Sequence, residues 1–65
     1  MHASIKGIDY DIITLESDER YKAHQGERSN MITWAVGDSV EITGVAGDIT
    51  IRNITRSKQI KARRW

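Results

Sequence analysis

The sequence predicts an all-β fold, a small antiparallel barrel of five to six strands, and three observations carry the prediction. Residues branched at Cβ dominate. Of the 25 residues in the hydrophobic class ten are Ile and one is Leu, and three Val and five Thr bring the β-branched total to 18. Their restricted side-chain rotation suits a pleated surface better than a helix, whereas Leu, Ala and Met, the usual filling of helical bundles, total only eight. Turn residues recur about every eight to twelve positions between short alternating runs, the spacing of a barrel or sandwich. Finally, 65 residues without a single Cys form one small domain, residues 1–65, that has no disulfide or thiolate metal site to hold it together. Stability has to come from paired backbone and an aliphatic core.

The elements follow in order. Ala3 to Ile8 reads as a first strand, and Asp9-Tyr10-Asp11 as a turn, because Asp side chains bond backbone amides nearby. An alternative runs Ile8, Tyr10 and Ile12 as one alternating strand, but the Ile12-Ile13 pair would then need a bulge to change faces. Ile12 to Glu16 is a clearer strand with Ile13 and Leu15 on one face. Ser17-Asp18-Glu19 turns the chain into Arg20 to His24, which carries Tyr21 and Ala23 on one face. A helix capped by Ser17 is the competing assignment; it offers only Tyr21 at core spacing, so the strand is preferred.

Gln25 to Asn30 is a polar loop with room for a short helical turn. Met31 to Val36 returns to alternation, with Ile32, Trp34 and Val36 in phase, and is expected to be a strand. Gly37-Asp38 forms the next turn, where glycine supplies backbone freedom. Val40 and Ile42 alternate against Glu41 and Thr43, Gly44-Val45-Ala46-Gly47 is a hairpin loop, and Asp48 to Thr55 returns with Ile49 and Ile51 inward. That strand bends near Asn53. Arg56 to Gln59 is a polar turn, and Ile60 to Trp65 is the last strand, with Ile60 and Ala62 opposite Lys61, Arg63 and Trp65. The length favours an SH3-like barrel over an OB-like one, which carries longer loops and a helix. The expected core is Ile5, Ile13, Leu15, Tyr21, Trp34, Val36, Val40, Ile42, Ile49, Ile51 and Ile60.

The run Trp34-Ala35-Val36-Gly37-Asp38-Ser39-Val40 is a Trp-x-x-Gly-Asp-x-Val pattern, preceded by Leu15-Glu16, a turn and Tyr21, and followed by Ile51-Arg52-Asn53. Over roughly residues 12–54 this order resembles short, mostly uncharacterised bacterial β-barrel proteins. The chain departs from their plan in lacking a Gly in the 17–19 turn and in carrying Tyr at 21 where they carry Trp. The resemblance implies the fold and carries over no functional residue.

The chemistry-bearing residues exclude more than they suggest. Asp9, Asp11, Glu16, Asp18 and Glu19 lack the spacing and central Gly of a calcium loop and read as solvated turns. His2 and His24 have no Cys or organised Ser beside them. Gly44-x-x-Gly47 lacks the Lys-Ser/Thr and helix of a phosphate loop. Asn53-Ile54-Thr55 matches a glycosylation tripeptide, and without an export signal it reads as a chance match. No catalytic residue, cofactor or metal site is expected, and the chain reads as non-enzymatic. No run approaches the length of a membrane helix, and the N-terminal residues lack the apolar core of a signal peptide, so the expected location is cytoplasmic with no membrane partner. Met1 is also compatible with an expression start on a mature exported domain.

Charge is distributed unevenly. Residues 1–33 hold four basic and six acidic groups, and residues 34–65 hold six basic and three acidic ones, for a net +1 overall. All six of the latter cations, Arg52, Arg56, Lys58, Lys61, Arg63 and Arg64, fall in the last 14 residues, together with Trp65. Cations for phosphates and an aromatic for stacking are what a single-strand nucleic-acid surface needs, although edge strands also carry Lys and Arg to block unwanted pairing. The first expectation is a binding or assembly module for a protein partner or for self-association, favoured by a thin core and open strand edges. The second is a barrel that binds single-stranded nucleic acid through this ribbon.

Overall fold

The computed structural model describes residues 2–45 and 47–65 and shows a closed six-stranded antiparallel barrel with almost no helix. The strands are β1 (His2–Asp9), β2 (Ile12–Leu15), β3 (Arg20–Ala23), β4 (Ser39–Val45), β5 (Asp48–Asn53) and β6 (Lys58–Arg64). Around the barrel they run β1-β2-β3-β6-β5-β4. Local hairpins make most of the pairings. β1 and β2 turn at Tyr10-Asp11, β2 and β3 at the 16–19 segment, β4 and β5 between Val45 and Asp48, and β5 and β6 at residues 54–57. Ala46 of the expected 44–47 loop lies outside the described residues.

Two features close the ring. β1 pairs with β4 through His2 to Ser4 and with β2 from Ile5 onward, and the register shifts between Ile5 and Gly7. Such an extra residue bends a strand sharply, and here it lets one strand serve two neighbours. The second is the long-range pairing of β3 with β6, Tyr21 with Arg64, Lys22 with Arg63 and Ala23 with Ala62. Closure removes the open edges expected from the sequence, since every strand of the ring has a neighbour on both sides.

Alternation decides the interior. Ile13 and Leu15 on β2, Tyr21 and Ala23 on β3, Val40 and Ile42 on β4, Ile49 and Ile51 on β5, and Ile60 and Ala62 on β6 are all buried, as is Ile5 on β1. Ten of the eleven residues expected in the core are there; Val36 is not, being 64% exposed. The strand expected over Met31–Val36 is also absent. A 3-10 turn, Arg28–Met31, occupies its start, the Trp34 amide donates to the Met31 carbonyl, and the Asp38 amide donates to the Ala35 carbonyl. These successive turns have a period near three. They bury Met31 and Trp34 and leave Ile32 and Val36 in solvent, so the alternation of Ile32, Trp34 and Val36 belongs to no sheet.

Candidate binding surface

The residues of the Trp-x-x-Gly-Asp-x-Val run and of Ile51-x-Asn53 converge on one buried polar knot. Gly37 takes φ +97°, a conformation that favours glycine, and thereby turns Asp38 inward. One carboxylate oxygen of Asp38 accepts from the Ala35 amide at 3.1 Å, from the Asn53 side-chain amide at 2.9 Å and from Arg56 Nε at 2.9 Å. Asn53 Oδ1 in turn accepts from the Arg56 amide at 3.0 Å. The Arg56 guanidinium holds the Asp38 carboxyl at about 2, below its ordinary 3.8; burial opposes the shift, and the Asn53 and Ala35 donors add to it. This knot ties the turn before β4 to the turn after β5. Its role is structural, and it occupies one cation of the expected ribbon.

Three more of those cations meet carboxylates on neighbouring strands. Arg52 bonds Glu41 at 2.7 Å and holds that carboxyl below its ordinary range, Lys61 lies 3.6 Å from Asp48, and Arg64 lies 3.5 Å from Glu19. Register also divides the ribbon. Arg52, Lys61 and Arg63 stand on the outer face opposite Gln59, Thr50 and Lys22, whereas Lys58 and Arg64 pair with the buried Asn53 and Tyr21 at the rims. Lys58 and Arg63 have no carboxylate within ion-pair distance among the described residues.

The arrangement left after this pairing centres on Trp65. Its backbone amide donates to the Arg20 carbonyl at 3.0 Å, extending the seam between β3 and β6 beyond Arg64. Trp65 is 54% exposed, and its ring centroid lies 4.6 Å from the Lys22 ammonium and 5.8 Å from the Arg63 guanidinium carbon. Lys22, Arg20 and Arg63 make no ion pair among the described residues. Lys22 and Arg20 lie outside the ribbon read from the sequence. Only the pairing of β3 with β6 brings them to Arg63 and Trp65, and no local pattern in residues 17–24 announces it.

The barrel surface carries two clefts. One of about 570 Å³ lies over the turn between β5 and β6 and includes Lys58 but no aromatic ring. One of about 300 Å³ lies beside β3 and includes Tyr10, Lys22, His24 and Arg28. No cluster of three or more metal-ligating side chains occurs among the described residues, and no helix there is long and apolar enough to cross a membrane. Comparison with protein-family models, curated proteins and solved structures found no match to this chain.

Proposed function

We propose that the protein is a non-enzymatic binding module, cytoplasmic as expected from the sequence, whose ligand is single-stranded nucleic acid held on the outer face of β3 and β6. The observation that carries the reading is the exposed Trp65 ring flanked by Lys22 and Arg63, two cations without carboxylate partners among the described residues. Bases of any sequence stack on an indole, and unpaired cations beside it neutralise the phosphates. The ligand surface is thus smaller than the ribbon of residues 52–65 and includes β3. Arg52, Arg56, Lys61 and Arg64 are engaged within the barrel and contribute less than their positions in the chain suggest.

A titration of isotope-labelled protein with mixed-sequence single-stranded DNA and RNA tests this. Saturable amide shifts are expected at Arg20, Lys22, Arg63 and Trp65. With three phosphates neutralised, affinity is expected to fall roughly 20-fold between about 50 and 200 mM salt. Trp65→Ala is expected to lower affinity by about tenfold or more, the usual loss for one base-stacking platform. Absent shifts, or a Trp65→Ala variant that binds like the parent, would overturn the reading.

A protein partner, the first expectation from the sequence, becomes the second reading. Strand edges no longer favour it, and it rests on Ile32 and Val36, both exposed in the segment before β4. Replacing both by Ser would abolish such an association and leave nucleic-acid binding intact.

A further inference from the structure

The smaller cleft adjoins the Trp65 platform, because Lys22 belongs to both: its ammonium lies over the indole and its side chain lines the cleft. We infer that this cleft is a phosphate subsite, taking a backbone phosphate of the same strand whose base rests on Trp65. The inference rests on the nucleic-acid reading above and extends it to a second contact point.

The lining explains the choice of ligand. Lys22, Arg28 and His24 supply hydrogen-bond donors, and Asp11 is the single carboxylate among the lining residues. Neither Lys22 nor Arg28 has a carboxylate within ion-pair distance among the described residues. The Arg28 guanidinium carbon lies over the Tyr10 ring, 4.3 Å from its centroid, a cation–π contact. Arg28 Nε is buried without a hydrogen-bond partner among the described residues. The guanidinium is a planar fork of donors whose geometry matches a phosphate's oxygens.

Tyr10 owes its position to the turn that carries it. It sits in the two-residue turn between β1 and β2 at φ +57°, a conformation that Gly or Asn adopts more easily, and the residue is 69% exposed there. Asp18 and Ser57, in the β2–β3 and β5–β6 turns, share the positive φ, so the conformation belongs to the hairpin turn and its consequence here is where it sets the ring. In this position the ring lies against Arg28 and leaves an aromatic surface beside the subsite.

Binding of labelled oligothymidylates of two to eight nucleotides, with thymidine monophosphate as competitor, tests the inference. Wild-type affinity is expected to rise with length until the strand spans platform and cleft, at roughly four nucleotides. Arg28→Gln is expected to cost the longer strands about tenfold in affinity, spare the dinucleotide, and flatten the salt slope by about 0.7, one phosphate contact. Arg28→Lys, which keeps the charge but not the fork, is expected to lose affinity at unchanged slope and serves if Arg28→Gln does not fold. If the wild type binds and Trp65→Ala loses binding while both Arg28 variants match the wild type, the subsite is overturned and the platform stands. Monophosphate binding as tight as the longest strand would overturn it too, making the cleft a site for free nucleotides. Failure of wild-type protein to bind any strand would overturn both.

Discussion

Asp38 shows how one side chain joins parts of the chain that are remote in sequence. Its carboxylate satisfies the buried Asn53 amide and the Arg56 guanidinium at once, so its removal leaves a buried donor unpaired. Asp38→Ala is expected to cost about 2–3 kcal/mol, which for a domain of this size lowers Tm by on the order of 10–20 °C; a thermal melt followed by circular dichroism checks it. The pH dependence follows from the same contacts. The folded-state value is depressed, so the stabilisation is complete above the ordinary 3.8 and disappears as pH falls from there to about 2. Acid unfolding of the wild type should therefore steepen in that window, and Asp38→Asn should lose that component. A second pair of residues tests the turn geometry before β4. Met31→Ala is expected to cost about 2–5 kcal/mol as a core truncation, and Val36→Ser to change stability by no more than about 0.5 kcal/mol as a surface change. Urea unfolding of both variants would show the reverse order if Val36 belonged to the core.

Among the elements, the β4–β5 hairpin has the most extended register, running from Val40 opposite Asn53 to Val45 opposite Asp48. Gly44 near its tip has φ +103°, and a Cβ there would collide with the Asp48 carbonyl. Gly44→Ala is therefore expected to destabilise by more than about 1 kcal/mol, measurable as a lower denaturation midpoint with unchanged slope. Hairpins of this kind were legible in the sequence, because alternation and turn residues are local and both persist in β2, β3, β4, β5 and β6. The segment before β4 was misleading for an equally local reason. Ile32, Trp34 and Val36 alternate, but hydrogen bonds between residues three apart set the period there, and Met31 and Trp34 became the buried pair.

At the scale of the whole molecule, closure converts a basic C-terminal segment into several different surfaces. Most of its cations turn to carboxylates contributed by other parts of the chain: Glu41 and Asp48 on β4 and β5, Glu19 before β3, and Asp38 before β4. Apart from the buried Asp38 pair, exposed pairs of this type contribute little to stability individually, yet all of them reduce the local positive field a polyanion would meet. Of the segment's two cations left without a carboxylate among the described residues, Arg63 stands where β6 meets β3, and Lys58 stands at the other end of β6 beside the β5–β6 turn. The salt and length dependence expected of the proposed oligonucleotide binding would therefore be set by the closed barrel, and neither follows from the net charge of +1.

Legible from the residues alone were the all-β class, the strands other than the expected Met31–Val36 run to within about two residues at their ends, and nearly all of the core. Each of these depends on side-chain branching, on a two-residue period or on turn chemistry between neighbours in the chain. Tertiary structure alone decided which cations are free and which are engaged, that Asp38, Asn53 and Arg56 form one knot, and that Lys22 and Arg20 stand beside Trp65. Those outcomes depend on which distant strands pair and in what register, and a shift of one residue would turn every side chain of a strand to its other face.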